Sequence, residues 1–308
     1  MYGRDDLRTT LAPAAKAPAA SSFHRASYAL FYGQPPQEAS DLAETWYARG
    51  QTMIVAYSEA RDGATFERTA QGDEYAVVLP DDGAEIEIEI PEGVVVASGR
   101  SVAFVPAGAS KITVRKGGRL LRLLTTASAD LVAKCSNAAQ YEAPDPNVPP
   151  LEAWPDPVGG RKVRVYSGDV APEAGRFGRI YRGSTIMVNF GDGRVGPRAA
   201  TNLSPHHHDD FEQYSIALDG DYIHHLRWPW ISDATQWIED EHERCGAPSL
   251  AVIPPPATHT SQGISPALNR LLDAFCPPRF DFSRKPGWVL NADDYPVPPI
   301  STTKEDAQ

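Results

Sequence analysis

Three short segments recur in the same order in the two halves of this chain, and no other feature constrains the fold as much. DEYAVVL (73–79) lines up with EQYSIAL (212–218), VAFVPAGASK (102–111) with LAVIPPPATH (250–259), and RLL (119–121) with RLL (270–272). The offsets are 139, 148 and 151, and the first step falls where the second half carries a Trp-rich segment at 228–245. Ordered matches at near-constant spacing mark duplication of one unit. Each is a short apolar run ended by a turn residue, so the unit is built of strands.

The 24 glycines and 28 prolines cut the remaining chain into pieces of strand length. TMIVAY, YAVVL, AEIEIEI, VAFV, KITV and LLRLL are strand candidates in the first half; KVRVY, TIMVNF, YSIAL, YIHHL, LAVI and LNRLL are those of the second. Only DLAETWYAR (41–49) and DATQWIEDEHER (233–244) read as helices, the latter N-capped by Asp233. The expected fold class is all-β, a sandwich or barrel in each half. The chain divides into an Ala/Pro-rich arm (1–21), a first β domain (22–135), a Pro-rich linker (136–160), a second β domain (161–296) and a tail (297–308).

Charge and cysteine content narrow the function. A net charge of −11 would be repelled by a phosphate backbone or an anionic membrane surface, so nucleic acid and membrane are not expected partners. No apolar run approaches the roughly 18 residues of a membrane span, and charges stand where a signal peptide needs its apolar stretch. Cys135, Cys245 and Cys276 are far apart and odd in number, which suggests neither a disulfide framework nor a cysteine zinc site. The expected compartment is the cytoplasm.

Seven of the eight histidines lie between 206 and 259. In SPHHHDDFEQYSIALDGD, His206 and His208 stand two apart, so on an extended segment both point to one face and converge on one ion. A carboxylate on the next strand and His259 on a neighbouring one would complete a shell of three nitrogens and one oxygen with open positions. Either Glu212 or Gln213 has the right spacing. If Glu212 points inward, so do Tyr214, Ile216 and Leu218, an apolar set suited to a barrel interior, and a carboxylate binds a divalent ion better than an amide does. The expectation is therefore Glu212, with Gln213 as its competitor.

These residues resemble the cupin superfamily of small jelly-roll barrels. The first motif of that family, His-x-His then Glu, is matched by His206, His208 and Glu212; the second, Pro-x-Gly, two residues, His, is matched by Pro254, Pro256 and His259, with Pro in place of Gly. The resemblance covers both halves and implies a bicupin, two jelly-roll barrels in tandem with few short helices. It implies one divalent transition metal per chain in the C-terminal barrel, Fe(II) first, with Mn, Ni, Cu and Zn as other occupants. The activity it implies is a non-haem iron dioxygenase acting on a small organic substrate. A metal-dependent isomerase, epimerase or lyase of a sugar or keto acid is the alternative, and a noncatalytic small-molecule-binding protein is a third reading. Homo-oligomerisation is left open.

The first half reads differently. An offset of 139 sets Glu67 and Thr69 opposite His206 and His208, and the second match sets Lys111 opposite His259, so the first barrel is expected to hold no metal. His207 should be exposed, and His224 packed and hydrogen-bonded. His242, among acidic neighbours, should lie on a solvated helix face. Arg179, Arg182 and Arg227 are candidates to hold a substrate carboxylate, and Trp228, Trp230 and Trp237 to form core or a lid.

Overall fold

The matched strands Tyr75–Leu79 and Ser249–Ile253 are buried at every residue, which requires a partner layer on each side. In the computed structural model, which describes residues 7–11 and 22–299, that requirement is met by two seven-stranded antiparallel sheets stacked face to face, each backed by a smaller sheet. The first large sheet runs Arg164–Ser167, Ser101–Val105, Tyr75–Leu79, Gly118–Thr125, Met53–Ala60, Ala43–Arg49, Glu38–Ala39. The second runs Ser27–Leu30, Ser249–Ile253, Glu212–Asp219, Leu268–Cys276, Met187–Phe190, Arg179–Arg182, with Arg194–Val195 paired to Leu268–Cys276. The three recurring segments occupy the same three neighbouring positions in both sheets, as duplication demands.

Two edge strands are exchanged. Ser27–Leu30, from the N-terminal side, pairs with Ser249–Ile253 of the second half, and Arg164–Ser167 pairs with Ser101–Val105 of the first. Each half thereby covers an edge the other would leave open to strand addition. The strand exchange cuts across the domain boundaries read from composition. Residues 136–160 are no free linker either: Asp145, Val148 and Trp154 are buried, and Trp154 packs on Phe280.

Side-chain parity divides the interior into three compartments. Ala76, Val78, Val102, Phe104, Leu121 and Leu123 meet Tyr214, Ile216, Leu218, Val252, Leu272 and Ala274 between the two large sheets. Tyr75, Val77 and Leu79 point the other way, onto Ile86, Ile88, Ile112 and Val114 of the sheet Thr65–Gln71, Gly108–Lys116, Glu85–Ile90, Gly93–Ser98. The first barrel is thus filled with apolar side chains, each worth about 1.5–3 kcal/mol when fully buried. The second barrel closes on the sheet Glu241–Gly246, Asp221–Arg227, Thr258–Gly263, and its interior is polar: Gln213, Ser215, Asp273 and His259 line it. That difference locates the site.

Neither predicted helix forms. Residues 41–49 contain the strand Ala43–Arg49, because Gly50 turns the chain into a hairpin with Met53–Ala60 that buries Trp46 and Tyr47. A Cβ at Gly50 would collide with the Tyr214 hydroxyl and stand 2.7 Å from Tyr214 Cζ, so the close approach there requires glycine. Asp233 caps as expected, accepting from Thr235 N at 2.9 Å, but it starts only the 3-10 turn Ala234–Gln236. The charged run beyond becomes the strand Glu241–Gly246, an edge whose acidic residues oppose further pairing. The α-helices among the described residues are Ala129–Val132 and Phe280–Ser283, four residues each. None is long and apolar enough to cross a membrane. Of the predicted arm, Leu7–Thr10 forms a 3-10 turn; residues 1–6, 12–21 and everything beyond 299 lie outside the described residues.

Candidate metal centre

His206 and His259 face each other as an isolated antiparallel bridge, exchanging backbone hydrogen bonds of 3.1 and 2.7 Å. Their rings are 4.5 Å apart, and the His208 ring lies 4.9 Å from His259 and 6.5 Å from His206. All three are buried. His206 Nδ1 lies 2.9 Å from Ser204 O, and His259 Nδ1 2.9 Å from Ala257 O. A carbonyl can only accept, so both rings carry their proton on Nδ1 and present Nε2 as a lone pair. His208 makes no hydrogen bond of ordinary geometry through either ring nitrogen among the described residues, and its ring stacks on Phe211 at 4.0 Å. Burial holds all three below the usual histidine range, His259 at about 4. They are neutral, the form that ligates.

The side chain that meets the histidines is not the one expected. Gln213, not Glu212, points into the barrel, with Oε1 3.2 Å from His259 Nε2. Its amide nitrogen donates to Ser215 Oγ at 3.0 Å and to Asp273 Oδ1 at 3.2 Å, which fixes the amide with its oxygen toward the histidines. Two acceptors facing each other repel unless a shared donor or a cation joins them. Glu212 leaves in the opposite direction, between the sheets, where it accepts from Gln51 N (3.1 Å), Thr52 N (3.0 Å) and Tyr214 Oη (2.8 Å). The parity argument for Glu212 fails because Tyr214, Ile216 and Leu218 fill the core between the sheets rather than the barrel.

The same correction applies to the internal alignment. Tyr75 hydrogen-bonds Ser110 inside the first barrel at 2.9 Å, as Gln213 meets His259 in the second, so the structural offset at this strand is 138, one less than the sequence match implies. The inward counterparts of His206 and His259 are Arg68 and Ser110, a paired couple. Glu67, Thr69 and Lys111 are exposed on the outer face, where Glu67 and Lys111 form an ion pair of 3.5 Å. The first barrel offers no imidazole at the equivalent places. His206, His208 and Gln213 sit where the other barrel has Arg68, Ala70 and Tyr75.

His206 and His259 border a cavity of about 390 Å³ whose walls include Arg8, Arg198, Gln213, Asp273, Phe275 and Arg279. Asp273 is half-buried in the cavity wall, accepts from Ser215 Oγ at 2.6 Å, and is pushed above the usual carboxylate range by desolvation. Arg8 Nη1 lies 3.1 Å from His206 Nε2. Among the described residues no three His, Cys, Asp or Glu side chains yet stand at metal-holding spacing. The donor chemistry nonetheless fits a divalent transition ion: three neutral imidazoles, one of them without a hydrogen bond among the described residues, and one amide oxygen.

The other candidates are dispersed. His207 is exposed, as expected. His224 is buried with Nδ1 2.9 Å from Ser261 Oγ; His225 and His242 pair with each other at 2.8 Å on the outer face of a strand pair, not a helix. Arg179 bonds Asp192, Arg182 bonds Tyr295 O, and Arg227 pairs with Asp240, so none of the three lines the cavity. Trp228 is buried, whereas Trp230 and Trp237 stack at 4.6 Å on the surface. Sequence reasoning missed Arg8, Arg198, Arg279 and Asp273. Asp273 alone left a signal, a carboxylate interrupting the apolar run LLDAF.

The fold is that of a bicupin, two jelly-roll barrels in tandem, with the polar interior in the second. No protein-family model matches the sequence, and no curated protein matches it. Solved structures match the fold: AerE from Microcystis aeruginosa (11% identity, 78% of this chain and 95% of that one, TM-score 0.53) and the oxalate decarboxylase of Lactobacillus farciminis in its formate complex (13%, 86% and 89%, TM-score 0.53). A tryptophan-to-tyrosine variant of the Bacillus subtilis oxalate decarboxylase matches at 11% identity over 85% of this chain and 78% of that one, TM-score 0.50.

Proposed function

We propose that this chain is a metal-dependent enzyme acting on a small organic molecule, with one divalent ion in the C-terminal barrel held by His206, His208, His259 and Gln213. The observation that carries the reading is the convergence of His259 Nε2 and Gln213 Oε1, two acceptors 3.2 Å apart beside His208, whose ring nitrogens make no hydrogen bond among the described residues. A bound ion supplies Lewis-acid polarisation of a substrate oxygen. The chain's own part is to hold that substrate. Ser204 O and Ala257 O keep two imidazoles in the ligating tautomer, Ser215 and Asp273 keep the Gln213 amide turned, and Phe211 and Phe275 limit water around the rings. Asp273, desolvated beside the cavity, can take or return a proton there.

Four neutral donors would leave the full +2 charge on the ion, which suits Lewis-acid polarisation of a substrate oxygen. This supports the lyase or isomerase class over the dioxygenase expected from the motif, and the decarboxylase activity named for two fold neighbours belongs to the former class. Elemental analysis of protein purified without added metal tests the site: close to one transition ion per chain is expected, lost in His206→Ala and His259→Ala. Oxygen uptake during turnover tests the class. Turnover that proceeds anaerobically, or with zinc, supports the lyase reading; turnover that consumes oxygen and stops without it returns the site to Fe(II) dioxygenase chemistry.

A further inference from the structure

The outer face of the small sheet that closes the second barrel carries two further histidines, which the barrel site does not use. His225 of the strand Asp221–Arg227 and His242 of the edge strand Glu241–Gly246 are register partners. Residues directly opposed on antiparallel strands hold their side chains within contact distance. Here the two imidazoles meet nitrogen to nitrogen, with Nδ1 2.8 Å from Nδ1 and ring centroids 4.9 Å apart. His225 is half-buried and His242 exposed.

A chain of hydrogen bonds decides which nitrogen carries a proton. Gln262, on the neighbouring strand Thr258–Gly263, donates its amide nitrogen to the backbone oxygen of residue 198 at 2.9 Å, so its Oε1 faces His225 Nε2 at 3.3 Å. An amide oxygen can only accept, so His225 carries its proton on Nε2 and presents Nδ1 as a lone pair. His242 meets that lone pair with its own Nδ1 proton. An imidazole with one nitrogen tied to a fixed acceptor and the other left as a lone pair is oriented as metal-ligating histidines are. The surrounding charges do not oppose a cation. On the same face Arg227 pairs with Asp240 at 2.9 Å and Arg244 with Asp221 at 3.0 Å, one ion pair on either side of the histidines.

We propose that His225 and His242 form a second transition-metal site, on the outside of the barrel, at which a divalent ion takes the place of the shared proton. That proton moves to His242 Nε2 through solvent, so both imidazoles stay neutral and both Nδ1 atoms ligate. Zinc–nitrogen bonds of about 2.0–2.1 Å set two ligands of a tetrahedral ion about 3.3 Å apart, roughly half an ångström beyond the present separation. The exposed His242 ring, on an edge strand, can yield that distance. Among the described residues no three His, Cys, Asp or Glu side chains stand at metal-holding spacing, so water completes the shell and the ion is held more weakly than by four protein donors. The site suits ions that favour imidazole, zinc, nickel and copper, over magnesium and calcium. It shares no residue with the barrel centre and does not rest on it.

Calorimetric titration of the full chain with Zn²⁺ tests the proposal, after dialysis against metal-free buffer and measurement of the ion retained. A Zn²⁺ step beyond the retained ion should appear, and Mg²⁺ should give none. His242→Ala and His225→Gln should each weaken that step at least about tenfold, whereas His206→Ala, which touches the barrel centre alone, should leave it in place. With Cu²⁺ as the probe, the paramagnetic-resonance spectrum of the His206→Ala chain should show coupling to two imidazole nitrogens, and to fewer once His242→Ala is added. A step lost in His207→Ala instead, an unchanged His242→Ala, or no such step up to about 1 mM Zn²⁺ overturns the proposal. A step abolished by His206→Ala and untouched by His242→Ala assigns the ion to the barrel and overturns it equally.

Discussion

Glu74 and Glu212 do the same work in opposite halves. Glu74 accepts from Ser184 N at 2.8 Å and Ser184 Oγ at 3.1 Å, across the interface; Glu212 accepts from Thr52 N at 3.0 Å and Thr52 Oγ1 at 2.9 Å, across the same interface in the other direction. The recipient turns are themselves a repeat, Arg49-Gly50-Gln51-Thr52 and Arg182-Gly183-Ser184-Thr185. Both glycines are required: a Cβ at Gly183 would meet Glu74 Oε1 and Phe104 at 2.7 Å, as one at Gly50 would meet Tyr214. Glu212 is acidic because duplication made it a cross-domain cap.

Glu212→Ala and Gln213→Ala should therefore separate stability from metal binding. Removing Glu212 strands the half-buried amide of Gln51 and the buried amide of Thr52, at about 1–3 kcal/mol each, and leaves the proposed ligand set intact. Removing Gln213 deletes a donor and spares the interface. Denaturant unfolding and elemental analysis on both variants check this; metal loss confined to Glu212→Ala would restore the motif-based assignment.

Buried His224 sets a pH dependence. Desolvation, then His259 and His225, hold its ring down at about 3, against an ordinary value near 6.5. The unfolded ring takes a proton first as pH falls. Stability from the neutral ring is complete above about pH 6.5 and is lost progressively as pH falls toward about 3. Unfolding free energy should fall less steeply over that range in His224→Gln than in the wild type, measured as a difference because His206, His208 and His259 slope the same way.

The exchanged strand Ser27–Leu30 should protect its partner. A chain lacking residues 1–30 exposes the edge of Ser249–Ile253, so amide hydrogen exchange at Leu250 and Val252 should accelerate and the protein should aggregate more readily. Unchanged protection would show that the second sheet closes without the exchange.

The RLL repeats meet across the interface. Arg119 pairs with Asp81 and Asp219, and Arg270 pairs with the same two carboxylates, at distances of 2.5 to 3.2 Å, all four side chains part-buried. Arg119→Ala and Arg270→Ala should couple by about 0.5–3 kcal/mol in a double-mutant cycle, because each variant leaves the other arginine facing both acids. Strict additivity would mean the four-residue network contributes only as separate exposed pairs.

The strand grammar, the duplication and the histidine pattern were all present in the residues. Apolar runs of about five to nine residues between turn formers could only pair, and His206 and His208, two apart on extended chain, had to share a face. Which face a strand shows to which layer was not present. DEYAVVL and EQYSIAL match best at 139, yet the sheets align at 138, and a slip of one residue turns every side chain over. An apolar face reads identically whether it lines a barrel or meets a second sheet, so Tyr214, Ile216 and Leu218 could not reveal their partner. The helices assigned at 41–49 and 233–244 failed for a related reason: hairpin partners at Met53–Ala60 and Asp221–Arg227 outweighed local helical pattern. Arg8 lies 198 residues from His206, and only the stacked sheets and the anchored N-terminal turn bring them together. Composition and local pattern determined what the elements are; long-range packing, through parity and strand exchange, decided which side chains face the cavity.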